Sequence, residues 1–417
     1  MSATASGERR VVDVTAIAAG GDGVARLAPD GLVVFVPRTA PGDRAEVLLE
    51  RRGRFARGRV EALLERGPGR VEPPCPHYVA DHCGGCQLQH LAYDAQLAAK
   101  QGIVADALLR IGGRGASVPP VQPSPRPWRY RRKLTLALRW TGRRWIAGLH
   151  PYDAPGRVFD LVDCPITDEA VLAVWREIRD ASALLPRVRA LRGAVRLLEA
   201  GAAFVLEGGE RWPSSARFFD AVPSLAALWW VPDGGRRRLL HDRRSHATPG
   251  ASFAQVNPSV AELLGRHAVE LVLAHRPATV VDAYAGAGDS AVTLARVGVR
   301  VAAIELDAEA AAYGAERLPA GSRMLAGTVE ERLPEALPAD VVLLNPPRGG
   351  LDARVPELLL AAHPRPRALV YVSCDPATLA RDLARLRGYA LRSVAAFDMF
   401  PQTAHVETVC ELVAEAE

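Results

Sequence analysis

No stretch of the sequence approaches the ~20 uninterrupted apolar residues of a membrane-spanning helix, which excludes that mode of insertion. The opening residues MSATASGERR lack the apolar segment of a secretory signal, so a reducing cytoplasm is the expected compartment. Cysteine is scarce, with six in 417 residues. In such a compartment a few cysteines read as metal ligands or catalytic thiols more readily than as disulfides. Lysine is nearly absent, and the net charge of +5 rests on arginine. Ala, Arg, Gly and Pro all run high, so this charge alone is weak ground for a nucleic-acid partner, and the clustering of the arginines carries more weight. No internal repeat is visible, and a monomer is the default.

Apolar material is ample: 49% of residues are hydrophobic and the mean hydropathy is +0.02. The length suggests two or three domains. Residues 10–66 alternate in short apolar runs broken by glycines, such as GLVVFVP and DRAEVLLE, a pattern that predicts a small β-barrel. Arg51, Arg52, Arg54, Arg57 and Arg59 crowd a later segment of it, either as phosphate contacts or as a solvated loop. Pro-rich EPPCPHY at 72–78 marks a boundary. Helical spacing runs from Leu91 to Ile111 and stops at Gly112-Gly113. Residues 119–245 read as mixed and mainly strand-like. From about residue 278, short apolar runs (ATVVDAYAG, VRVAAIELD, ADVVLLNPP, RALVYVSC) alternate with helical stretches, as in a doubly wound α/β domain. The last two runs, YALRSVAAFDMF and HVETVCELV, lie too close for a helical crossover and predict an antiparallel pair.

Three strand ends in that domain carry candidate chemistry. Asp282-Ala-Tyr-Ala-Gly286-Ala-Gly288 follows the first strand and opens a helix, where glycines let a ligand approach the backbone. Position 291 is alanine, so the third glycine of the dinucleotide fingerprint is missing. The second strand ends in Glu305, whose carboxylate can accept both ribose hydroxyls of a nucleoside, while Asp307 reads also as a helix cap. A nucleoside cofactor without a pyrophosphate fits both features, and S-adenosylmethionine is such a cofactor. The fourth strand ends in Asn345-Pro346-Pro347-Arg348-Gly349-Gly350, a stiff loop presenting an amide.

Cys374 follows the fifth strand in Ser373-Cys374-Asp375-Pro376, and a helix starting near Pro376 could lower its pKa. Cys410, inside the last strand, reads as an inert buried thiol. A strand-end thiol suits addition to carbon 6 of a pyrimidine, which makes carbon 5 nucleophilic enough to take a methyl group. A base must then remove the carbon 5 proton. Glu407, after the turn Asp398-Met-Phe-Pro401-Gln-Thr-Ala-His405, is the candidate, with His405 on the same strand face.

Together, SFAQVNPSV, DAYAGAGD, NPPRGG, YVSCDPATLARD and DMFPQTAHVET resemble the RNA uracil-5-methyltransferase family in order and spacing across residues 250–410. The resemblance implies a class I (Rossmann-like) methyltransferase domain at 249–417. Before it come a TRAM- or OB-like RNA-binding β-barrel at 1–66 and a mixed α+β central domain at 67–248 carrying a cysteine cluster and an RNA-binding surface. It further implies Cys374 as nucleophile and Glu407 as proton acceptor, with Gln255, Tyr284, Glu305 and Asn345 contacting S-adenosylmethionine. The family usually has aspartate where this chain has Asn345, which raises the question of uracil or cytosine. Cys75, Cys83, Cys86 and the distant Cys164 suit a four-thiolate site for zinc or iron–sulfur, and the resemblance favours a structural [4Fe–4S] cluster. Trp128 and Tyr130, interleaved with Arg129, Arg131, Arg132 and Lys133, form a candidate stacking and phosphate platform. The implied substrate is RNA, 23S rRNA ahead of tRNA. Competing readings are an amino-group methyltransferase using the NPPR loop and a non-catalytic TRAM-type RNA-binding factor.

Overall fold

A computed structural model describes residues 8–199, 201–245 and 255–415. Its first unit is a closed five-stranded barrel in the order β1-β2-β3-β5-β4. The strands are β1 (Glu8–Ile17), β2 (Gly23–Leu27), β3 (Leu32–Val36), β4 (Arg44–Arg52) and β5 (Phe55–Glu65). Alternation puts Val12, Val14, Val34, Val36, Val47 and Leu49 inside. The arginines crowding the β4–β5 hairpin largely meet carboxylates: Arg52 with Glu50 (2.6 Å), Arg57 with Asp22 (3.1 Å) and Arg59 with Glu61 (2.8 Å).

A linking segment carries the short helix α1 (Pro76–Ala80) and then α2 (Tyr93–Arg110). α2 lays Val104 and Leu108 into the core of the C-terminal domain. The central sheet runs β11-β10-β9-β8-β6-β7. It is built from β6 (Lys133–Trp140), β7 (Trp145–Gly148), β8 (Ala190–Leu197), β9 (Ala202–Glu207), β10 (Leu225–Val231) and β11 (Arg238–Asp242). Helices α3 (Glu169–Asp180) and α4 (Ser215–Ala221) cover one face, where Trp175, Ile178 and Phe218 pack on Leu134, Leu136, Val195 and Phe204. Both helices lie in the region read from sequence as mainly strand-like. α3 is rich in β-branched and aromatic residues, which mimic a strand. Its buried Val171, Trp175 and Ile178 nevertheless follow helical spacing, and the Asp168 side chain caps it by accepting from the Ala170 N–H.

The C-terminal sheet has seven strands in the order β14-β13-β12-β15-β16-β18-β17. These are β12 (Thr279–Ala283), β13 (Arg300–Glu305), β14 (Arg323–Ala326), β15 (Val341–Leu344), β16 (Ala368–Ser373), β17 (Tyr389–Phe397) and β18 (Glu407–Ala414). β12 to β16 are parallel, and β18 lies antiparallel between β16 and β17. On one face α5 (Pro258–Ala274) and α6 (Asp289–Arg296) bury Val260, Leu264 and Leu294. On the other, α8 (Val329–Ala336), α9 (Arg354–Ala361) and α10 (Pro376–Arg385) pack beside α2. α7 (Ala308–Arg317) completes the set. Cover on both faces explains why β15 is an unbroken apolar run and β16 is buried along its whole length. The fold class is therefore α/β: a doubly wound C-terminal domain preceded by a β-barrel and a mixed central domain. Among the described residues no helix is long and apolar enough to cross a membrane.

Candidate active site

The carboxyl ends of β12, β13, β15 and β16 converge where ligands bind in open α/β sheets. Beyond β12 the loop holds Tyr284 at φ 63°, Gly286 at 58° and Gly288 at 80°. A left-handed tyrosine costs on the order of 1–3 kcal/mol and persists where surrounding structure imposes it, typically at ligand sites. Glu305 closes the loop: one carboxylate oxygen accepts from the Gly286 N–H (2.7 Å), the other from the Asp307 N–H (2.7 Å). Asp307 caps α7, accepting from Glu309 and Ala310. Asp282 forms the floor of the loop, and the sequence motif alone does not reveal its setting. It is 2% exposed, its Oδ2 has no hydrogen-bond partner, and burial pushes its carboxyl up to about 7. Asn345 is exposed at the end of β15, anchored by its N–H to the Ala283 carbonyl (3.2 Å). Gln255 is half-buried just before α5; Ser252, Phe253 and Ala254 of the SFAQVNPSV motif lie outside the described residues.

β16 and β18 pair with Ser373 opposite Thr408. One step further along the register sets Cys374 beside Glu407, on one face of the sheet. Cys374 is half-buried, and Glu407 is 3% exposed. Burial pushes the Glu407 carboxyl up to about 7, opposed by Arg348 of the NPPR loop. The Cys374 thiol is raised by burial and then by the Glu407 carboxylate, with Arg348 again opposing. The direction is opposite to the expected lowering: α10 does begin at Pro376, but burial first and the neighbouring carboxylate next push the Cys374 thiol upward. Arg348, unassigned from sequence beyond its motif, is the cation both groups share. Gly350, at φ 77°, fixes its loop: an added Cβ would lie 2.2 Å from Asp382 Oδ2 and 2.3 Å from Thr378 Cγ2. Buried Asp382 also accepts from the Leu351 N–H and the Tyr371 hydroxyl, both at 2.8 Å.

The turn between β17 and β18 that delivers Glu407 is held from outside its own domain. Lys100 of α2, fully buried, pairs with Asp398, which also accepts from the Tyr93 hydroxyl (2.7 Å). Gln96 donates to the Gln402 side chain (2.9 Å), and the Tyr130 hydroxyl donates to the Pro401 carbonyl (3.0 Å). Tyr130 is therefore 3% exposed and belongs to the core, while Arg129 is bound by Asp163 (2.8 Å) and Glu169 (2.9 Å). Trp128 packs on the central core. The interleaved aromatic and basic residues do not form an open stacking platform.

Cys75, Cys83, Cys86 and Cys164 line one cavity of about 270 Å³, which Arg348, Phe400, Thr403 and His405 border from the catalytic side. Exposed His405 stands edge-on to Phe400 (5.8 Å) and faces this cavity rather than sharing Glu407's buried setting. Burial raises all four thiols, that of Cys83 to about 11. Among the described residues no group of three or more His, Cys, Asp or Glu side chains is arranged to hold a single metal ion. Cys410 is fully buried in β18.

Residues 333–414, spanning the NPPR loop, Cys374 and Glu407, match the family model described as tRNA (Uracil-5-)-methyltransferase. A protein named as an uncharacterized RNA methyltransferase of Gloeobacter violaceus is 36% identical, over 97% of this chain and 96% of its own length. Another so named, from Halalkalibacterium halodurans, is 33% identical over 94% of each chain. The crystal structure of Pyrococcus abyssi tRNA (uracil-54, C5)-methyltransferase in complex with S-adenosyl-L-homocysteine shares the fold, with a TM-score of 0.69 at 24% identity, covering 97% of this chain and 99% of that one. From the full-length likeness to those relatives, the chain belongs to a family of RNA methyltransferases, and its residues 333–414 carry the match to the tRNA (Uracil-5-)-methyltransferase model.

Proposed function

We propose that the protein transfers a methyl group from S-adenosylmethionine to carbon 5 of a uridine in RNA, with 23S rRNA as target and tRNA as the alternative substrate. The observation that carries this reading is the register that sets Cys374 beside Glu407, with Arg348 near both. The Cys374 thiolate adds to carbon 6, forming a C–S bond and leaving an enolate at carbon 5. Carbon 5 takes the sulfonium methyl, and the carboxylate of Glu407 removes the carbon 5 proton so that the thiolate is eliminated. A carboxyl poised near 7 suits that task better than an ordinary carboxylate, because it holds the proton more firmly once taken.

The loop after β12 fits a nucleoside-bearing methyl donor. Glu305 retains lone pairs for ribose hydroxyls, Asp282 offers an unpartnered buried oxygen, and Tyr284 and the two glycines bring backbone close. Gln255 and Asn345 would complete the set. Asn345 can still accept from the N3–H of uracil through its carbonyl; its amide could instead serve cytosine. Four buried thiols lining one cavity have the donor set of a four-thiolate site, which suits zinc or a [4Fe–4S] cluster, and the family resemblance favours the cluster. Bound there, the cluster would brace the central domain against the catalytic turn. The direct test is incubation with labelled S-adenosylmethionine and RNA lacking the modification, followed by nucleoside digestion. Label in 5-methyluridine supports the reading. Label in cytidine, on an exocyclic nitrogen, or nowhere contradicts it.

A further inference from the structure

We propose that the helix-free face of the central sheet is a phosphate-binding groove for the RNA strand flanking the target nucleotide, an inference that rests on the RNA-modifying reading above. Alternate residues of β6 and β8 point into the core under α3; the others point away. On that outer face the register sets Lys133 opposite Arg196, Thr135 opposite Ala194, and Arg196 opposite Ala203. Short side chains thus make the floor of a trough of about 260 Å³, and Lys133, Arg192, Arg196 and Arg237 stand around it.

Like charges directly opposite across neighbouring strands destabilise a sheet, so the Lys133–Arg196 pair costs the free protein something. Lys133 is one of only two lysines in the chain, and its ammonium has no hydrogen-bond or ion-pair partner among the described residues. Burial, and then the neighbouring Arg196 and Arg192, push its pKa down. Among the described lining residues Glu207 is the sole carboxylate, and it is engaged by Arg192 (2.8 Å). An anion seated in the trough would relieve this repulsion.

The location identifies the anion. Arg237 reaches Asp307 (3.3 Å) and Glu309 (3.7 Å), immediately past the strand end that carries Glu305. The Arg132 N–H donates to the Val256 carbonyl (2.9 Å), next to Gln255. The trough therefore runs toward the rim of the catalytic sheet, where a strand offering its base to Cys374 has to pass. Successive phosphodiesters are the chemistry that several cations along a groove would meet.

The test uses the full-length protein and a uridine-containing single-stranded oligoribonucleotide, read by fluorescence anisotropy over a salt series. In the Lys133→Gln/Arg192→Gln/Arg196→Gln variant, affinity should fall roughly tenfold or more, and the slope of log K against log salt should become shallower by about one per cation removed. S-adenosylmethionine affinity should match wild type and the melting temperature should stay level or rise. Glu207→Gln should tighten RNA binding. Wild-type RNA affinity and salt slope in the triple variant, or weaker binding in Glu207→Gln, overturns the groove. Groove-dependent RNA binding by a protein that methylates no uridine would leave the groove standing and remove the proposed reaction instead. Methylation with groove-independent binding does the reverse.

Discussion

In the proposed reaction Glu407 meets two demands that conflict, since a buried carboxylate is costly and a proton acceptor must be ionised. Its folded pKa of about 7 lies above the ordinary carboxylate value, so the native state binds the extra proton. Stability from this group is present at low pH and is lost as pH rises from the ordinary value through about 7. Glu407→Gln should therefore abolish turnover, leave the RNA adduct uneliminated, and stabilise the fold by on the order of 3 kcal/mol at pH 8 but little at pH 5. Denaturant melts at both pH values check this. Arg348 favours the ionised form of both Cys374 and Glu407, so Arg348→Ala should raise the Cys374 pKa further. The pH–rate profile should then shift to the alkaline side, with single-turnover rates falling most at neutral pH. The strand-end placement of Cys374 and Glu407 was legible because each follows or opens a strand in a distinctive turn. Asp282 and Arg348 lay in motifs already singled out, yet their roles depend on burial and through-space neighbours, which spacing does not reveal.

At the scale of elements, two supports hold the loops that carry Arg348 and Glu407. Gly350 lets the NPPR loop close over Asp382, so Gly350→Ala must displace that loop. A stability cost of about 1–3 kcal/mol should accompany a larger proportional loss of turnover, measured by melts and initial rates. The second support is the Lys100–Asp398 pair under the β17–β18 turn. Lys100→Met leaves a buried carboxylate without its cation and should cost about 3–5 kcal/mol in chemical denaturation. The strands and α2 were readable from period and length. α3 and α4 were not, because Val, Trp and Phe in a short amphipathic helix imitate a strand until the capping Asp168 is weighed. The aromatic part of the basic segment at 127–133 is different from its sequence reading for the opposite reason: tertiary contacts took Tyr130 into the core and tied the half-exposed Arg129 to Asp163 and Glu169.

Across the whole molecule, the central domain and the linking segment both reach the catalytic turn. Gln96, Lys100 and Tyr130 touch it directly, and the four-cysteine cavity borders on Arg348 and His405. Sequence spacing gave the cysteines and not this adjacency, since Cys164 and the β17–β18 turn are far apart in the chain. A protein purified without oxygen should be brown with broad visible absorbance, and Cys86→Ser should remove the colour. A colourless zinc-loaded protein would oppose the cluster. The measurement that bears most directly on the proposed chemistry is reaction with substrate RNA carrying 5-fluorouridine, in which carbon 5 has no proton to give up. A methyl-dependent covalent protein–RNA adduct mapping to Cys374 by peptide mass is the predicted result. An adduct at another side chain, or undiminished methylation of the natural RNA by Cys374→Ala with no adduct formed, would contradict it.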